Sequence, residues 1–333
     1  MIQDFGIIIA CCFKDYHFAA GCCASIRYFG GDVPICLIVD GDFNTTSLEK
    51  TYGVKIINQK TVKHPFLKEN SFGWGLTKMI AFWESPWQNF LFLDADTIIW
   101  GDVLDFGDLE HYDMIIDHNL EDWKAEDISR LFFDLEGIKK HFPDFNYQDR
   151  PYFVTGVFGG KRGIFSLAEY AELLEFKNRY PDVFKYGEQG LLNFMIFRAL
   201  DEGKIHLKTA PMQVLMWNYS QEEMRQRFPL EDGKIGNRDW HKEACVIHWA
   251  GIKPFLVNDV YSDPMTFMQQ KFYEDSQCLI YGNVKINLLL EDLWRYRPTR
   301  KFIKKLFGYL LKSPSSLFSN TSHDFPYFMD LVP

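Results

Sequence analysis

The first hundred residues alternate short apolar runs with segments of helical spacing, and this alternation restricts the fold more than any other feature. Continuous apolar runs of four to eight residues are typical of strands buried on both faces. Such strands, when helices separate them, predict an α/β fold with a mostly parallel central sheet flanked by helices. The expected strands are residues 7–12, 35–39, 54–57 and 90–93, and the expected helices between them are residues 16–29 and 75–83.

The remainder of the chain has a weaker pattern. Residues 121–150 are charged and aromatic with little periodicity, which indicates an inserted helix and loop. The other expected elements are strands at 152–158 and 245–248 and helices at 167–180 and 189–200.

Composition and length restrict the class of protein. The chain has 333 residues, 47% of them hydrophobic, and a formal net charge of −9, as expected of one elaborated globular domain. Its seven cysteines lie mostly in apolar runs and include adjacent pairs, a pattern unlike a disulfide framework. The N-terminus is acidic, and no apolar run approaches the roughly 20 residues of a membrane helix. We therefore expect a cytoplasmic protein.

The C-terminal part has the opposite charge. Residues 294–312 contain seven Lys or Arg among large apolar residues. A basic amphipathic helix can lie on an anionic membrane, which predicts peripheral contact with the inner face of the membrane. A helix packed on the domain with a solvated basic face explains the pattern equally well. The uneven charge does not indicate nucleic-acid binding.

Two Asp-x-Asp triplets follow expected strands. Asp-Ala-Asp at 94–96 follows one strand, and Asp-Gly-Asp at 40–42 follows another. Ligands of parallel sheets collect beyond the carboxyl ends of the strands, and carboxylates at this spacing can share Mg²⁺ or Mn²⁺. Either triplet could also be a solvated turn. For 40–42 we favour the turn.

The surroundings of 94–96 resemble family 8 glycosyltransferases, the glycogenin-like and lipopolysaccharide galactosyltransferase group. Lys78 lies before the strand, where that family has a basic residue that reaches the donor. Residues 14–27 resemble the family's first strand-helix turn, and residues 187–193 its G-D-Q-x-x-L-N segment. Residues 246–254 resemble its H-x-x-G-x-x-K-P motif, shortened by one residue.

This resemblance implies a GT-A nucleotide-diphospho-sugar transferase fold and a set of site residues. The implied metal ligands for Mn²⁺, or Mg²⁺, are Asp94, Asp96 and His248. The residues expected to bind the donor are Cys11, Tyr16, Lys78, Ala95, Gly251 and Lys253. The residues expected to act in catalysis are Glu188, Gln189 and Asp117. On this basis residues 1–260 form a catalytic domain, and residues 261–333 a helical, basic extension.

The chemistry of these residue types agrees with the implied roles. Two carboxylates and a neutral imidazole suit Mn²⁺ better than the all-oxygen shell of Mg²⁺. A cation and Lys253 would offset the charge that builds on a departing nucleotide diphosphate. A strand-end His is by itself more often structural, and the Gly251 and Lys253 that follow His248 favour the metal role.

The chain departs from the family at three places. The family's Asn-Ser/Ala-Gly strand, which touches the donor sugar, is Val-Thr-Gly at 154–156. Its Asp that contacts the base corresponds to Phe13, and its Asp-Gln pair is Glu188 and Gln189. These differences lie at the base and sugar ends of the expected donor site.

The sequence therefore predicts a metal-dependent retaining glycosyltransferase that moves a sugar from a nucleotide-diphosphate donor, a UDP-sugar, to a glycan or glycolipid acceptor. One alternative is a nucleotide-sugar-binding protein of the same fold that no longer transfers, which Phe13 and Val154 would favour. A sugar nucleotidyltransferase is a third hypothesis. It would need a Gly-rich phosphate loop where residues 13–16 read Phe-Lys-Asp-Tyr.

Overall fold

The structure is a computed structural model that describes residues 4–73, 75–106, 108–118, 123–231, 234–235, 245–255, 260–277 and 284–295. Within these ranges the strands are β1 (Phe5–Cys12), β2 (Ile35–Asp40), β3 (Lys55–Asn58), β4 (Asn89–Asp94), β5 (Thr97–Ile99), β6 (Met114–Asp117), β7 (Val157–Lys161), β8 (Leu207–Ala210), β9 (Gln213–Leu215), β10 (Leu230–Glu231), β11 (Lys234–Ile235) and β12 (Val246–His248).

The α-helices of the same ranges are α1 (Tyr16–Gly30), α2 (Thr46–Tyr52), α3 (Pro65–Asn70), α4 (Ala81–Glu84), α5 (Ala125–Leu131), α6 (Leu135–His141), α7 (Leu167–Arg179), α8 (Gln189–Asp201), α9 (Gln221–Arg227), α10 (Asp263–Ser276) and α11 (Val284–Arg295). Short 3₁₀ helices cover Leu76–Ile80, Val103–Phe106 and Met216–Asn218.

The central sheet has seven strands in the order β3-β2-β1-β4-β7-β6-β8. Strands β1 to β4 pair in parallel, and so do β6 and β8. Only β7 runs against its neighbours β4 and β6. The predicted mostly parallel α/β sheet is therefore confirmed. A small second sheet, β5-β12-β9, continues from the carboxyl end of β4.

The sheet separates two hydrophobic cores, because successive side chains of a strand point to opposite faces. In β1, Ile7 and Ile9 belong to one core, whereas Ile8 belongs to the other. The first core also receives buried residues of α1 and α10, and the second those of α7 and α8. Covering both faces explains why the strands are continuous apolar runs.

The described part of the expected C-terminal extension packs against α1. Gly21 of α1 allows close contact, since a Cβ there would lie 2.8 Å from the sulfur of Met265 in α10. Gln269 of α10 donates a hydrogen bond to the backbone oxygen of His17, at 3.0 Å. His17 Nε2 also lies 3.0 Å from the buried carboxylate of Asp292 in α11. Helices α10 and α11 therefore both hold the start of α1 in place.

Three predicted elements differ from the structure. The helix expected at 75–83 is a 3₁₀ turn at Leu76–Ile80 followed by α4, and it begins only after Gly75, whose backbone is left-handed with φ of 77°. The strand expected at 152–158 begins only at Val157. Before it, the backbone of Phe153 exchanges two hydrogen bonds with the side-chain amide of Asn193 instead of with a strand. The insertion at 121–150 contains two helices, α5 and α6, where one was expected.

Two predictions from the sequence concern the state of the cysteines and contact with a membrane. The six cysteines that the structure describes form no disulfide bonds. No helix in the described ranges has the length and apolar character that a membrane crossing requires. The basic segment 294–312 falls almost entirely outside the described residues, so membrane contact there stays a prediction.

Packing between Gly6 and Trp87 gives a test of the central sheet. A Cβ at Gly6 would lie 2.3 Å from the buried Trp87 ring, so Gly6→Ala should destabilise the protein by about 1–3 kcal/mol. The control Gly159→Ala lies on β7 of the same sheet, where the nearest atom to a Cβ is 3.4 Å away. The midpoint of urea unfolding should fall for the first variant only. Equal midpoints would mean that Trp87 can move aside freely.

Candidate metal centre

The structure brings Asp94, Asp96 and His248 together at the junction of the two sheets. Asp94 is the last residue of β4, and Asp96 lies in the turn to β5. Strand β5 pairs antiparallel with β12, and this pairing sets His248 opposite Thr97. His248 Nε2 lies 3.8 Å from a carboxylate oxygen of Asp94 and 3.8 Å from one of Asp96. One potential ligand atom from each residue falls within 4.8 Å of the others.

Backbone hydrogen bonds hold the turn that carries the two carboxylates. The Asp94 amide donates to the oxygen of Gly156, at 2.8 Å, and the Trp249 amide donates to the oxygen of Asp96, at 3.1 Å. The Thr97 hydroxyl donates to the backbone oxygen of Asp94, at 2.8 Å. These hydrogen bonds hold the backbone of the turn in place, and both carboxylates of the turn face His248.

His248 is held as a neutral ligand. Burial lowers its pKa to about 4, so the imidazole carries no charge at neutral pH. Its Nδ1 lies 2.7 Å from the side-chain oxygen of Gln213, which can only accept, so Nδ1 carries the proton. The unprotonated Nε2 then faces Asp94 and Asp96, as a metal ligand must.

Lys78 neutralises one side of the site. Its buried ammonium lies 3.0 Å from Asp94 Oδ1 and 2.7 Å from Glu188 Oε1. It also donates to the backbone oxygen of Thr155, at 3.0 Å. Burial works against a charged lysine, but the two carboxylates outweigh it and raise the pKa of Lys78 above its ordinary value. Lys78 is therefore a fixed positive charge.

Lys253 neutralises the other side. Its ammonium lies 2.7 Å from Asp96 Oδ2 and 3.7 Å from Asp15 Oδ1. Asp15 is the residue before α1, so Lys253 connects Asp96 to the turn between β1 and α1. Burial opposes its charge, but Asp15 and Asp96 together raise its pKa.

The charges of the site leave room for a divalent cation. Burial raises the pKa of Asp94 to about 6, even with Lys78 beside it. Burial also acts on Asp96, but there the ammonium of Lys253 holds the pKa below its ordinary value. Four carboxylates with two ammonium groups leave two negative charges in this cluster. Two carboxylates and one imidazole nitrogen fit Mn²⁺, and a bound cation would supply the missing positive charge.

The residues expected to bind the donor lie around this centre. Cys11, near the end of β1, is buried. Tyr16 begins α1, and its ring makes an edge contact with Phe43, with centroids 5.6 Å apart. Ala95 is buried between the two carboxylate residues. Gly251, in the turn after β12, has a φ of 75°, a conformation that glycine adopts without strain.

The three residues expected to act in catalysis have different partners. Glu188 bonds to Lys78 and accepts from the Thr155 hydroxyl at 3.0 Å, which places it beside Asp94. The side chain of Gln189 instead donates to the backbone oxygen of Leu131, at 2.9 Å. Asp117 is the last residue of β6, and its carboxylate accepts hydrogen bonds from the backbone amides of Met212 and Gln213. Glu188 is thus linked to Asp94 through Lys78, and Asp117 to His248 through Gln213, whereas Gln189 bonds away from the three candidate ligands.

Several residues of the site were not predicted from the sequence. Gln213 and Gly156 both contact His248, and a Cβ at Gly156 would lie 2.0 Å from its ring. Gly75 makes room for Glu188, whose carboxylate would lie 1.8 Å from a Cβ there. The available signal for Gln213 was a polar residue inside the apolar run 212–216.

The second triplet, at 40–42, has structural partners. Asp40 accepts a hydrogen bond from the Gly73 amide, at 2.9 Å. Asp42 is exposed and pairs with Lys60, at 2.8 Å. The metal grouping found among the described residues involves the other triplet. These partners agree with the turn favoured for 40–42.

The contact between Gly156 and His248 generates a test of the metal centre. Because the Gly156 backbone is bonded to Asp94, the methyl group of Gly156→Ala should push the imidazole away from the carboxylates. We expect the affinity for Mn²⁺, measured by electron paramagnetic resonance, to fall about 10–100-fold. Gly159→Ala is the matched control on the same strand region and should bind like the wild type. Equal affinities of the two variants would contradict the assigned ligand geometry.

Comparison with known proteins identifies the fold. No protein-family model matches the sequence, and no curated protein matches it. Among solved structures, the galactosyltransferase LgtC, in complex with donor and acceptor sugar analogs, is 16% identical with a TM-score of 0.51 over 85% of this chain and 99% of that chain. The glycosyltransferase GlyE of Streptococcus pneumoniae is 13% identical with a TM-score of 0.50, over 86% of this chain and 62% of its own.

A third structure, the bifunctional glycosyltransferase WbbM in its apo form, is 13% identical with a TM-score of 0.50. That match covers 88% of this chain and 52% of WbbM. With the seven-stranded, mostly parallel sheet and its flanking helices, these similarities show that the chain has the GT-A fold.

Proposed function

We propose that this chain is a metal-dependent retaining glycosyltransferase that moves a sugar from a UDP-sugar donor to a glycan or glycolipid acceptor. The observation that carries the proposal is the cluster of Asp94, Asp96 and His248, with Lys253 beside it. The cluster lies at the carboxyl end of β4, next to β1, and ligands of such sheets collect beyond the carboxyl ends of the strands. The structural similarity to LgtC, crystallised with donor and acceptor sugar analogs, agrees with this activity.

The cluster has the chemistry that a diphosphate leaving group requires. A bound Mn²⁺ would act as a Lewis acid on the diphosphate oxygens as the bond to the sugar breaks. Lys253, held against Asp96, supplies a second positive charge at the same place. Because Lys253 also reaches toward Asp15, the nucleoside would extend toward the turn between β1 and α1. There Phe13, Tyr16 and Phe43 form an aromatic surface suited to a base.

Glu188 is the residue best placed to act on the sugar itself. Lys78 and Thr155 both bond to one of its carboxylate oxygens, which holds the side chain in place. A fixed negative charge can stabilise the positive charge that develops on a sugar ring as its leaving group departs. In this proposal the acceptor hydroxyl bonds to the sugar from the side on which the bond to the diphosphate breaks. Glu188 stabilises the positive charge on the sugar without bonding to it.

The two aspartate triplets provide a matched test of the activity. Asp96→Asn should abolish or strongly reduce Mn²⁺-dependent release of UDP from a UDP-sugar, because it removes a ligand charge and the partner of Lys253. Loss of a metal-binding group of this kind lowers turnover by about 10²-fold or more. Asp42→Asn, in the exposed triplet, should leave turnover unchanged. Unchanged turnover in the Asp96 variant would refute the metal-dependent mechanism.

Ligand-dependent stabilisation tests the donor independently of turnover. A ligand at 100 times its dissociation constant stabilises the folded state by about 2.7 kcal/mol. We expect UDP to raise the Tm clearly in the presence of Mn²⁺ and much less without it, because the cation joins the diphosphate to Asp94 and Asp96. A set of nucleoside diphosphates would identify the base. Binding without turnover would instead favour a nucleotide-sugar-binding protein, and no Mn²⁺-dependent shift with any of them would contradict the proposed donor.

A further inference from the structure

We infer that Gln213 is a positioning residue of the metal centre, which keeps the proton of His248 on Nδ1 and the lone pair of Nε2 directed at Asp94 and Asp96. The inference rests on the proposed function in one respect, that this cluster binds a cation. Gln213 touches neither the cation ligand atoms nor a substrate, and its effect would act through His248.

Strand pairing places Gln213 beside the imidazole. In the parallel pair of β9 and β12, Gln213 is opposite Val246 and Leu215 is opposite His248. Residues two apart on a strand share a face, so Gln213 is the diagonal neighbour of His248 on that face. The side-chain oxygen of Gln213 lies 2.7 Å from His248 Nδ1, and both residues are buried. Water therefore does not compete for this hydrogen bond.

The orientation of the Gln213 amide is determined by a second bond. Its Nε2 donates to the backbone oxygen of Val154, at 2.9 Å. A carbonyl can only accept, so the nitrogen must lie on that side and the oxygen must face the imidazole. With the amide oriented this way, an Nδ1 proton is satisfied, whereas an unprotonated Nδ1 would face an oxygen lone pair.

Asp117 anchors the backbone of the same residue. One oxygen of Asp117 accepts from the amides of Met212, at 2.8 Å, and Gln213, at 3.0 Å. Both the side chain and the backbone of Gln213 are thus fixed by groups outside the cation cluster. A chain of buried hydrogen bonds runs from Asp117 at the end of β6 through Gln213 to His248.

Without such an acceptor the other tautomer would be favoured. Two carboxylates lie 3.8 Å from Nε2 and would attract a proton on that nitrogen. A protonated Nε2 has no lone pair for a metal. Leaving the Nδ1 proton buried without a partner is unfavourable, which would favour this exchange further. Gln213 therefore opposes the tautomer that would block cation binding.

Two variants separate the acceptor of Gln213 from its packing. Gln213→Met fills a similar volume without an acceptor. Gln213→Glu, as a neutral carboxylic acid, donates its proton to the Val154 oxygen and keeps an oxygen against Nδ1. We expect the Met variant to lose about 10–100-fold in Mn²⁺ affinity, measured by electron paramagnetic resonance, as removal of a partner of a metal-binding His does. The Glu variant should bind close to the wild type. A role in packing alone would not distinguish the two variants in this way.

The tautomer can be observed directly in the metal-free protein labelled with ¹⁵N-histidine. The wild type should show a protonated Nδ1 and an unprotonated Nε2 for His248, identified by the signals lost in His248→Gln. In Gln213→Met the proton should move to Nε2, and in Gln213→Glu it should stay on Nδ1.

Each outcome has a separate meaning. A wild type with its proton on Nε2, or a folded Met variant with unchanged tautomer and Mn²⁺ affinity, would overturn the role of Gln213 and leave the proposed function intact. A wild type that binds no Mn²⁺ would overturn both the metal assignment and this role. If the Met variant does not fold, the wild-type spectrum and the Glu variant still decide, since a shifted tautomer in either contradicts the inference.

Discussion

The repulsion between neighbouring carboxylates, shielded at least in part from water, is the constraint on which the site depends. Asp94 and Asp96 both lie within 3.8 Å of one imidazole nitrogen, and Glu188 and Asp15 lie beyond them. Two unit charges 4 Å apart interact with about 4 kcal/mol at an effective dielectric constant of 20. The fold keeps these acids together because Lys78 and Lys253 are built into the cluster. The remaining negative charge is what makes the cluster a site for a cation.

Strand pairing brings the candidate metal ligands together from segments that are distant in the chain. Asp94 and Asp96 flank the connection from the central sheet to β5, and His248 reaches them only because β12 pairs with β5. Strand β9 pairs with the other side of β12 and brings Gln213 to the imidazole. The small sheet thus positions the candidate metal ligands, with the turn that carries the carboxylates on one edge and Gln213 on the other.

The sequence was sufficient for features that depend on local pattern. Apolar runs and helical spacing predicted β1, β2, β4 and α1 to within two residues, since burial on both faces leaves a clear periodicity. It failed where partners are distant in the chain. The expected strand at 152–158 begins late because Phe153 bonds to Asn193 of α8, and nothing local signals that. The role of Gly156 could not be predicted for the same reason. Its lack of a side chain matters only because His248, which is distant in the chain, packs against it.

Two of the three departures from the pattern of the family that the sequence resembles lie next to Lys78. This lysine bonds to Asp94 at the cation end and to Glu188 at the sugar end, with Thr155 of the altered Val-Thr-Gly segment between them. A change at any one of these groups redistributes the hydrogen bonds of the others. Residues that share a network in this way do not contribute additively. The proposed cation end and the proposed sugar end of the site are therefore one electrostatic unit, and the role proposed for Glu188 has to be understood together with the lysine that holds it.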